Sequence, residues 1–467
     1  MLIRNTEIVS GVPVDVRIAG GKIVAVGSLT ASDRAEATID AGGGALLPGL
    51  HDHHLHLHAF AAALGSVKCG PPVVYDQHQL IAALRAATEV AQGTWIRGIG
   101  YHESVAGDID RTWLDRVIAD RPVRVQHRTG RLWILNSAAL DQVASETDEC
   151  PLERSGGQFT GRLLDGDSWL RRRIGSVAPP IRNASRLLLS RGVTGITDTT
   201  PVNGEAEYAS FAGAHDRGDL VQDVLMMGTA ELESFAGSSR LQIGARKLHL
   251  HEADLPSFED MCRDVLQCHR AGRAMAVHCV TLAELIFTLG AFEEAGSYPG
   301  DRIEHASVTP LALMPLIAHL GLTVVTQPNF ISERGDQYLK DVALLDQQSL
   351  YRQRAFIKSG IPLAGGTDAP FGDANPWSAM QAAVTRRTRG DEVIGIEEAL
   401  SPEEALSLFC SDPLDPGRTR RRIALGAVAD LCLLDRPWAQ ARSELSKVAA
   451  VATFKAGEVV WREELRT

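Results

Sequence analysis

Cysteine is scarce in this sequence and nowhere paired. The seven cysteines (Cys69, Cys150, Cys262, Cys268, Cys279, Cys410, Cys432) are scattered over 467 residues, odd in number, and form no CxxC pair. That argues against a disulfide framework or a zinc–thiolate site and suits free thiols in a reducing cytoplasm. Clusters of positive charge are equally few. Arg171-Arg172-Arg173 and the run from Arg418 to Arg422 are short, and the net charge is −11, which argues against a nucleic-acid surface built on phosphate contacts. No apolar run is long enough to span a bilayer, and Met1-Leu2-Ile3-Arg4-Asn5 leads into a mixed polar segment rather than a secretory signal. The hydrophobic fraction of 45% and charged fraction of 22% are ordinary for a globular protein. The expectation is a cytoplasmic protein acting on a small molecule, without nucleic-acid or membrane partners. Whether it forms a homo-oligomer is not legible in the sequence.

The two ends of the chain read as β-rich. Val14 to Ile18 and Lys22 to Gly27 alternate around the Gly20-Gly21 turn, and Ala429 to Asp435, Ala450 to Phe454 and Val459 to Trp461 are strand-like. Both ends are expected to build one β-sandwich, from residues 1–48 and 420–467. The middle, residues 49–419, alternates short apolar strands with helical stretches such as Ser257 to Ala271 and Leu282 to Ala295. Eight strands are expected: Ala45 to Leu50 (continuing to His56), Val193 to Thr199, Leu220 to Met227, Lys247 to His251, Met275 to Cys279, Arg302 to Ala306, Thr323 to Gln327 and Pro362 to Thr367. Eight such units predict an α/β fold, a closed TIM (β/α)8 barrel. The stretch from about 60 to 190 is too long for a plain connection. It carries its own strands (Thr94 to Ile99, Val123 to His127) and helices (His78 to Ala91, Asn136 to Val143), and is read as a subdomain inserted after barrel strand 1 to roof the pocket.

The densest chemical feature is His51-Asp52-His53-His54-Leu55-His56-Leu57-His58. Residues two apart on a strand point to the same side, roughly 6.6 Å apart, so two imidazoles at a strand end can share one metal ion. His51/His53, His54/His56 and His56/His58 all satisfy that spacing, so spacing alone does not choose the frame. Further polar groups end later strands: His278 the fifth, Glu304-His305 the sixth, and Gly366-Thr367-Asp368 the eighth. A single His at a strand end is usually structural. Several at the C-terminal ends of different strands of one barrel make a catalytic arrangement. The fourth strand places Lys247, His249 and His251 on one face, and a lysine inside a barrel is costly unless it is ion-paired or chemically modified.

Pro48-Gly49-Leu50-His51-Asp52-His53-His54-Leu55-His56 resembles the PGxxDxHxH signature of the amidohydrolase superfamily, whose register selects His54 and His56. More narrowly, the chain resembles the YtcJ-like branch that includes N-substituted formamide deformylase. The matching pieces are Gly130-Arg131-Leu132-Trp133 to Asn136-Ser137, Thr160 to Leu164, Arg302 to Ala306, Gln327-Pro328, Gly366 to Pro370 and Gly426 to Leu431. The resemblance implies that His54, His56 and Asp368 hold one divalent metal and that His278 and His305 hold a second. It also implies that Lys247 matches a lysine which in binuclear members is carboxylated (N6-carboxylysine) and bridges the ions. Single-metal members leave the sixth-strand His to polarise substrate, so one ion or two stays open. Zn2+ is expected, with Mn2+, Fe2+ or Co2+ as alternatives. Relatives often carry His at the position of Arg131, and an acidic–Gly step is replaced where Glu252 follows His251.

The implied reaction is hydrolysis of a C–N bond in an amide, carbamate, urea or formamide by metal-activated water, with Asp368 and His305 as catalytic residues. The rival is an amino-heterocycle deaminase, which needs an acid close behind the fifth-strand His; the nearest here is Glu284. A non-catalytic ligand-binding or regulatory protein is a further alternative, disfavoured because no ligand is missing. Tyr101, His102, Arg131 and Trp133 are candidate substrate contacts, although Trp95 and Trp133 equally suit the core of the insertion. Arg131 and Arg162 would clamp a substrate carboxylate or pair with nearby aspartates.

Overall fold

The computed structural model describes residues 1–8, 11–31, 36–90, 95–144, 150–175 and 179–463. Ala91 and Thr94, at the ends of an expected helix and strand, lie outside them. The chain divides into two compact units, Met1–Leu57 with Ile181–Thr467, and His58–Pro180.

The larger unit is organised by eight parallel strands: β1 (Leu50–Leu55), β2 (Val193–Asp198), β3 (Asp223–Gly228), β4 (Leu241–His249), β5 (Met275–Cys279), β6 (Arg302–His305), β7 (Thr323–Thr326) and β8 (Leu363–Gly365). Each pairs with its sequence neighbour in parallel register, so the order around the sheet follows the chain. Helices such as Phe258–Arg270 and Leu282–Ala295 return the chain between strands, the right-handed βαβ logic that closes a TIM barrel. The seam between β8 and β1 is bridged just past the strand ends: the Asp368 N–H donates to the His54 carbonyl at 2.7 Å and the His56 N–H to the Ala369 carbonyl at 2.8 Å. Gly366 makes this approach possible, because a β-carbon there would lie 2.4 Å from the His54 Cβ.

The expected boundaries shift most at the first and fourth strands, while the third begins at Asp223 rather than Leu220 and the eighth stops at Gly365 rather than Thr367. The segment beginning at Ala45 is two strands rather than one: Leu46–Pro48 pairs antiparallel with Leu431–Leu434 in a terminal sheet, and β1 starts at Leu50. Gly49 separates them where the chain passes Thr194, whose Oγ1 would stand 2.3 Å from any β-carbon. The fourth strand starts at Leu241, six residues before the expected Lys247, and ends at His249, leaving His251 beyond it.

The terminal segments form two four-stranded sheets, one from Lys22–Gly27, Pro13–Ala19, Leu2–Glu7 and Thr38–Asp40, the other from Glu458–Arg462, Ala450–Lys455, Leu431–Leu434 and Leu46–Pro48. Ile3, Val16 and Ile18 from the first sheet meet Leu431, Leu433 and Phe454 from the second in one apolar cluster, a β-sandwich core. The smaller unit has a six-stranded sheet whose order starts with Leu152–Ser155 and Gln158–Leu164 and finishes with Ile96–Tyr101 and Val67–Lys68. Among the described residues no helix is long and apolar enough to cross a membrane.

Candidate metal centre

The geometry resolves the histidine run into two sets. His51 and His53 are spent on structure: His51 Nε2 lies 2.9 Å from Thr197 Oγ1, and His53 Nε2 lies 3.0 Å from Ser411 Oγ. His54 and His56 instead bring their Nε2 atoms to 3.4 and 3.2 Å from the same oxygen, Asp368 Oδ1. The three ligand atoms lie within 4.8 Å of one another. Asp368 Oδ1 is buried and without a hydrogen bond of its own, an arrangement that fits a shared cation better than a proton network. His58 is the first residue of the smaller unit, on the helix Leu57–Leu64.

The other nitrogen of each ring is anchored. His54 Nδ1 sits 2.5 Å from Glu304 Oε2, and His56 Nδ1 sits 3.0 Å from Thr200 Oγ1. Such contacts fix ring orientation and tautomer in metal sites. Glu304 is in turn gripped by Arg302, with Nε 2.5 Å from Oε1 and Nη2 3.0 Å from Oε2. Burial opposes the charge on Glu304, but Arg302, Lys247 and His54 outweigh it and hold the carboxyl well below the usual range. Asp368 is likewise held low, burial being outweighed by the His54 and His56 rings.

His278 and His305 join the same array. The His305 ring centroid is 4.7 Å from that of His54 and 4.5 Å from that of His278. His305 Nδ1 faces Gln327 Oε1 at 2.7 Å, which places the proton on Nδ1 and leaves Nε2 as a lone-pair donor. Burial first, then neighbouring histidines (His305 beside His278, His54 beside His305), push both rings well below the ordinary histidine value. They are therefore neutral, the form that binds metal. Lys247 is 6% exposed, and its Nζ has no hydrogen-bond partner. Burial brings its pKa down to about 8, against the pull of Glu304. An ion pair does not answer the cost of burying this amine.

His305 and Asp368 both adopt left-handed backbone, φ 71° and 56°, a strain that non-glycine residues accept chiefly at functional positions. Asp52 ties β1 to the loop after β8: its Oδ1 accepts the N–H groups of His54 and Thr367 and its Oδ2 accepts the Thr367 hydroxyl at 2.5 Å. Asp198 performs the same task beside β2, accepting the Leu57 N–H at 2.6 Å and the Asn203 amide at 2.8 Å. Asp198, Thr200, Asn203 and the Arg302–Glu304 pair were not singled out by sequence as site residues. Arg302 and Glu304 carry the one readable signal, two opposite charges at strand spacing in an apolar run. His249 also reaches the array, its ring 4.1 Å from that of His278.

The expected substrate contacts lie in the smaller unit. Tyr101 (1% exposed) and Trp133 (2% exposed) sit within its core clusters, the indole N–H donating to Asp167 at 2.9 Å. Arg131 pairs with Asp165 through Nε at 2.8 Å, and Arg162 pairs with Asp108. His102 and His127 converge on Glu103, at 3.7 and 3.2 Å. Both rings accept a backbone N–H at Nδ1, from Ser104 and Thr129, so their Nε2–H groups face the carboxylate, with only His127 at hydrogen-bond distance.

Glu284 does not stand free as a proton donor. Its carboxylate accepts the backbone N–H groups of Glu252, Val280 and Thr281 at 3.0, 2.8 and 3.1 Å, inside the capping box that opens Leu282–Ala295.

Comparison with known proteins gives concordant results. The model of a family described as Amidohydrolase family matches residues 37–461. The chain is 24% identical to N-substituted formamide deformylase of Arthrobacter pascens, over 95% of this chain and 94% of that one. It is 23% identical to the putative amidohydrolase YtcJ of Bacillus subtilis, over 91% and 90%. A metal-dependent hydrolase of Pyrococcus horikoshii OT3, described as uncharacterized, shares the fold with a TM-score of 0.73 at 22% identity, covering 93% of this chain and 97% of that one.

Proposed function

Because the chain belongs to the amidohydrolase family, whose members are metal-dependent hydrolases, we propose that it hydrolyses a C–N bond in a small amide, N-formyl compound, carbamate or urea. The observation that carries this reading is the convergence of His54 Nε2, His56 Nε2 and the unsatisfied Asp368 Oδ1 on one buried point. His54, His56 and Asp368 would hold one divalent ion, Zn2+ by the preference of imidazole and carboxylate donors. His278 and His305 would hold a second, and Lys247, once carboxylated on Nζ, would bridge the two. Carboxylation would turn an orphaned buried amine into an anion with partners. A divalent ion at this place supplies a water acidified to near neutrality and a Lewis acid for the carbonyl.

The protein's own groups do the rest. Asp368, ionised and within reach of the ligand cluster, takes the proton of the attacking water and returns it to the departing nitrogen. His305, neutral with its Nδ1 proton committed to Gln327, offers an Nε2 lone pair, so its part would be to hold the ion that offsets negative charge on the carbonyl oxygen. Glu304, backed by Arg302, keeps the His54 ring aimed. Deamination of a heterocycle is the weaker reading, since Glu284 is occupied by three backbone N–H groups. The same proposal divides the chain into a composite sandwich (1–48 and 420–467) and a hydrolase barrel (49–419) with its insertion. The test is a panel of N-formyl, N-acyl and carbamoyl compounds assayed with protein of measured metal content. Turnover that disappears with the metal supports the reading, and ammonia release from purines or pyrimidines alone would overturn it.

A further inference from the structure

The group His102, Glu103 and His127 stands in the smaller unit and shares no residue with the larger unit that carries the barrel centre. The strands Ile96–Tyr101 and Val123–His127 run side by side in parallel, with Tyr101 opposite His127. His102 and Glu103 directly follow the first strand and His127 ends the second, so three metal-ligating side chains meet at the carboxyl ends of neighbouring strands. Glu103 Oε2 lies 3.2 Å from His127 Nε2 and 3.7 Å from His102 Nε2, and the three atoms lie within 4.8 Å of one another. A tetrahedral zinc ion sets its donors about 3.3 Å apart, so small side-chain rotations close the set around one ion. The rings are 16% and 12% exposed and the Glu103 side chain 49%, which gives the carboxylate room to move and an ion a route from water. Burial opposes the charge on Glu103, but its own backbone N–H and the two rings outweigh it and hold the carboxyl below its usual range.

Each Nδ1 has two partners two residues along the chain. For His102 they are the Ser104 N–H at 3.2 Å and the Ser104 hydroxyl at 2.9 Å; for His127 they are the Thr129 N–H at 3.2 Å and the Thr129 hydroxyl at 2.9 Å. With the ring proton on Nε2, Nδ1 accepts the backbone N–H. With the proton on Nδ1, the hydroxyl accepts it and Nε2 is left with a lone pair. The hydroxyls then serve these rings as the Thr200 hydroxyl serves His56 in the barrel centre. Two lone pairs aimed at an ionised carboxylate repel it unless a cation lies between them.

We propose that His102, Glu103 and His127 form an accessory site for a divalent transition-metal ion of the zinc class, with water completing its coordination, and that the ion ties the ends of the two strands together. Two imidazoles and one carboxylate favour zinc, nickel or copper over magnesium and calcium, which take oxygen donors. On binding, each ring proton passes from Nε2 to Nδ1, so no proton is released. Each ring exchanges the backbone N–H contact at 3.2 Å for a hydroxyl contact at 2.9 Å. The site stands or falls independently of the reaction at the barrel centre.

The test is zinc titration, by calorimetry, of protein that already carries its tightly held metal and has been desalted. The wild type is expected to take up one further ion per chain, and to take up no magnesium added in the same way. His127→Gln and Glu103→Gln are each expected to lose that ion while keeping the metal content measured before the titration. Ser104→Ala combined with Thr129→Ala, which removes both hydroxyl partners, is expected to weaken the further ion by at least about tenfold. Amide hydrogen exchange locates it: zinc is expected to slow exchange at residues 102–107 and 127–130 in the wild type and not in His127→Gln. No further ion, a further ion that survives both single substitutions, or protection confined to other segments would overturn the proposal.

Discussion

Glu304→Gln separates scaffold from ligand more cleanly than any change to the ligands themselves. Glu304 is fully buried, receives two contacts from Arg302 and stands 2.5 Å from His54 Nδ1. Glutamine keeps the volume and one acceptor but removes the charge. Arg302, 2% exposed, is then left without an anionic partner, its acceptors being the neutral glutamine carbonyl and the His53 carbonyl at 2.8 Å. Stranding one partner of a buried ion pair costs about 3–5 kcal/mol, which denaturant unfolding of the metal-free protein reads directly. Loss of the carboxylate behind a metal-binding histidine weakens metal affinity roughly 10–100-fold, measured by competition with a chromophoric chelator. The double variant Arg302→Met, Glu304→Gln divides the two effects: it should recover most of the stability and none of the affinity. Recovery of both together, or a single variant with unchanged metal affinity, would refute the orienting role given to Glu304.

The other predictions address separate parts of the structure. Asp368→Asn should keep bound metal, by elemental analysis, yet lose nearly all turnover, because the amide cannot take the water's proton; an active variant would remove that role. Lys247→Ala should lose metal and activity together, and millimolar short-chain carboxylates should restore part of both if a lysine carbamate bridges two ions. No effect on metal stoichiometry would favour a single ion. Glu284→Gln should lower stability by about 1–2 kcal/mol through the lost cap while kcat falls no more than a few-fold; abolished turnover with intact stability would revive deamination. Phe454→Ala, at a fully buried position of the sandwich core, should cost about 3–5 kcal/mol in unfolding experiments.

The barrel was legible because its strands are short apolar runs that end in polar groups, a pattern local to each strand. What escaped the sequence was tertiary. Nothing near Gly49 signals that Thr194 would collide with a side chain there, so a sandwich strand and a barrel strand were read as one. The sequence hides the start of β4 at Leu241 because Gly244 and Arg246 interrupt its apolar pattern. The frame of the histidine run was ambiguous by spacing, and the family signature resolved it; the physical cause appears only with Thr197 and Ser411, which claim His51 and His53. Arg302 and Glu304 were visible as residues but not as a scaffold, since their target His54 lies about 250 positions away in the chain. Tyr101 and Trp133 look like pocket walls by residue type, yet each is buried in the core of the smaller unit.

His54, His56 and Asp368 converge on one point where a catalytic divalent ion is proposed to sit. Equilibrium dialysis against zinc, run in parallel on the wild type and on His54→Ala, with hydrolysis of an N-formyl amine followed in the same samples, tests it most directly. The wild type should hold at least one tightly bound ion that the variant loses, and activity should disappear with chelation and return with added metal. Full hydrolysis by metal-free protein, or undiminished zinc binding by His54→Ala, would contradict it.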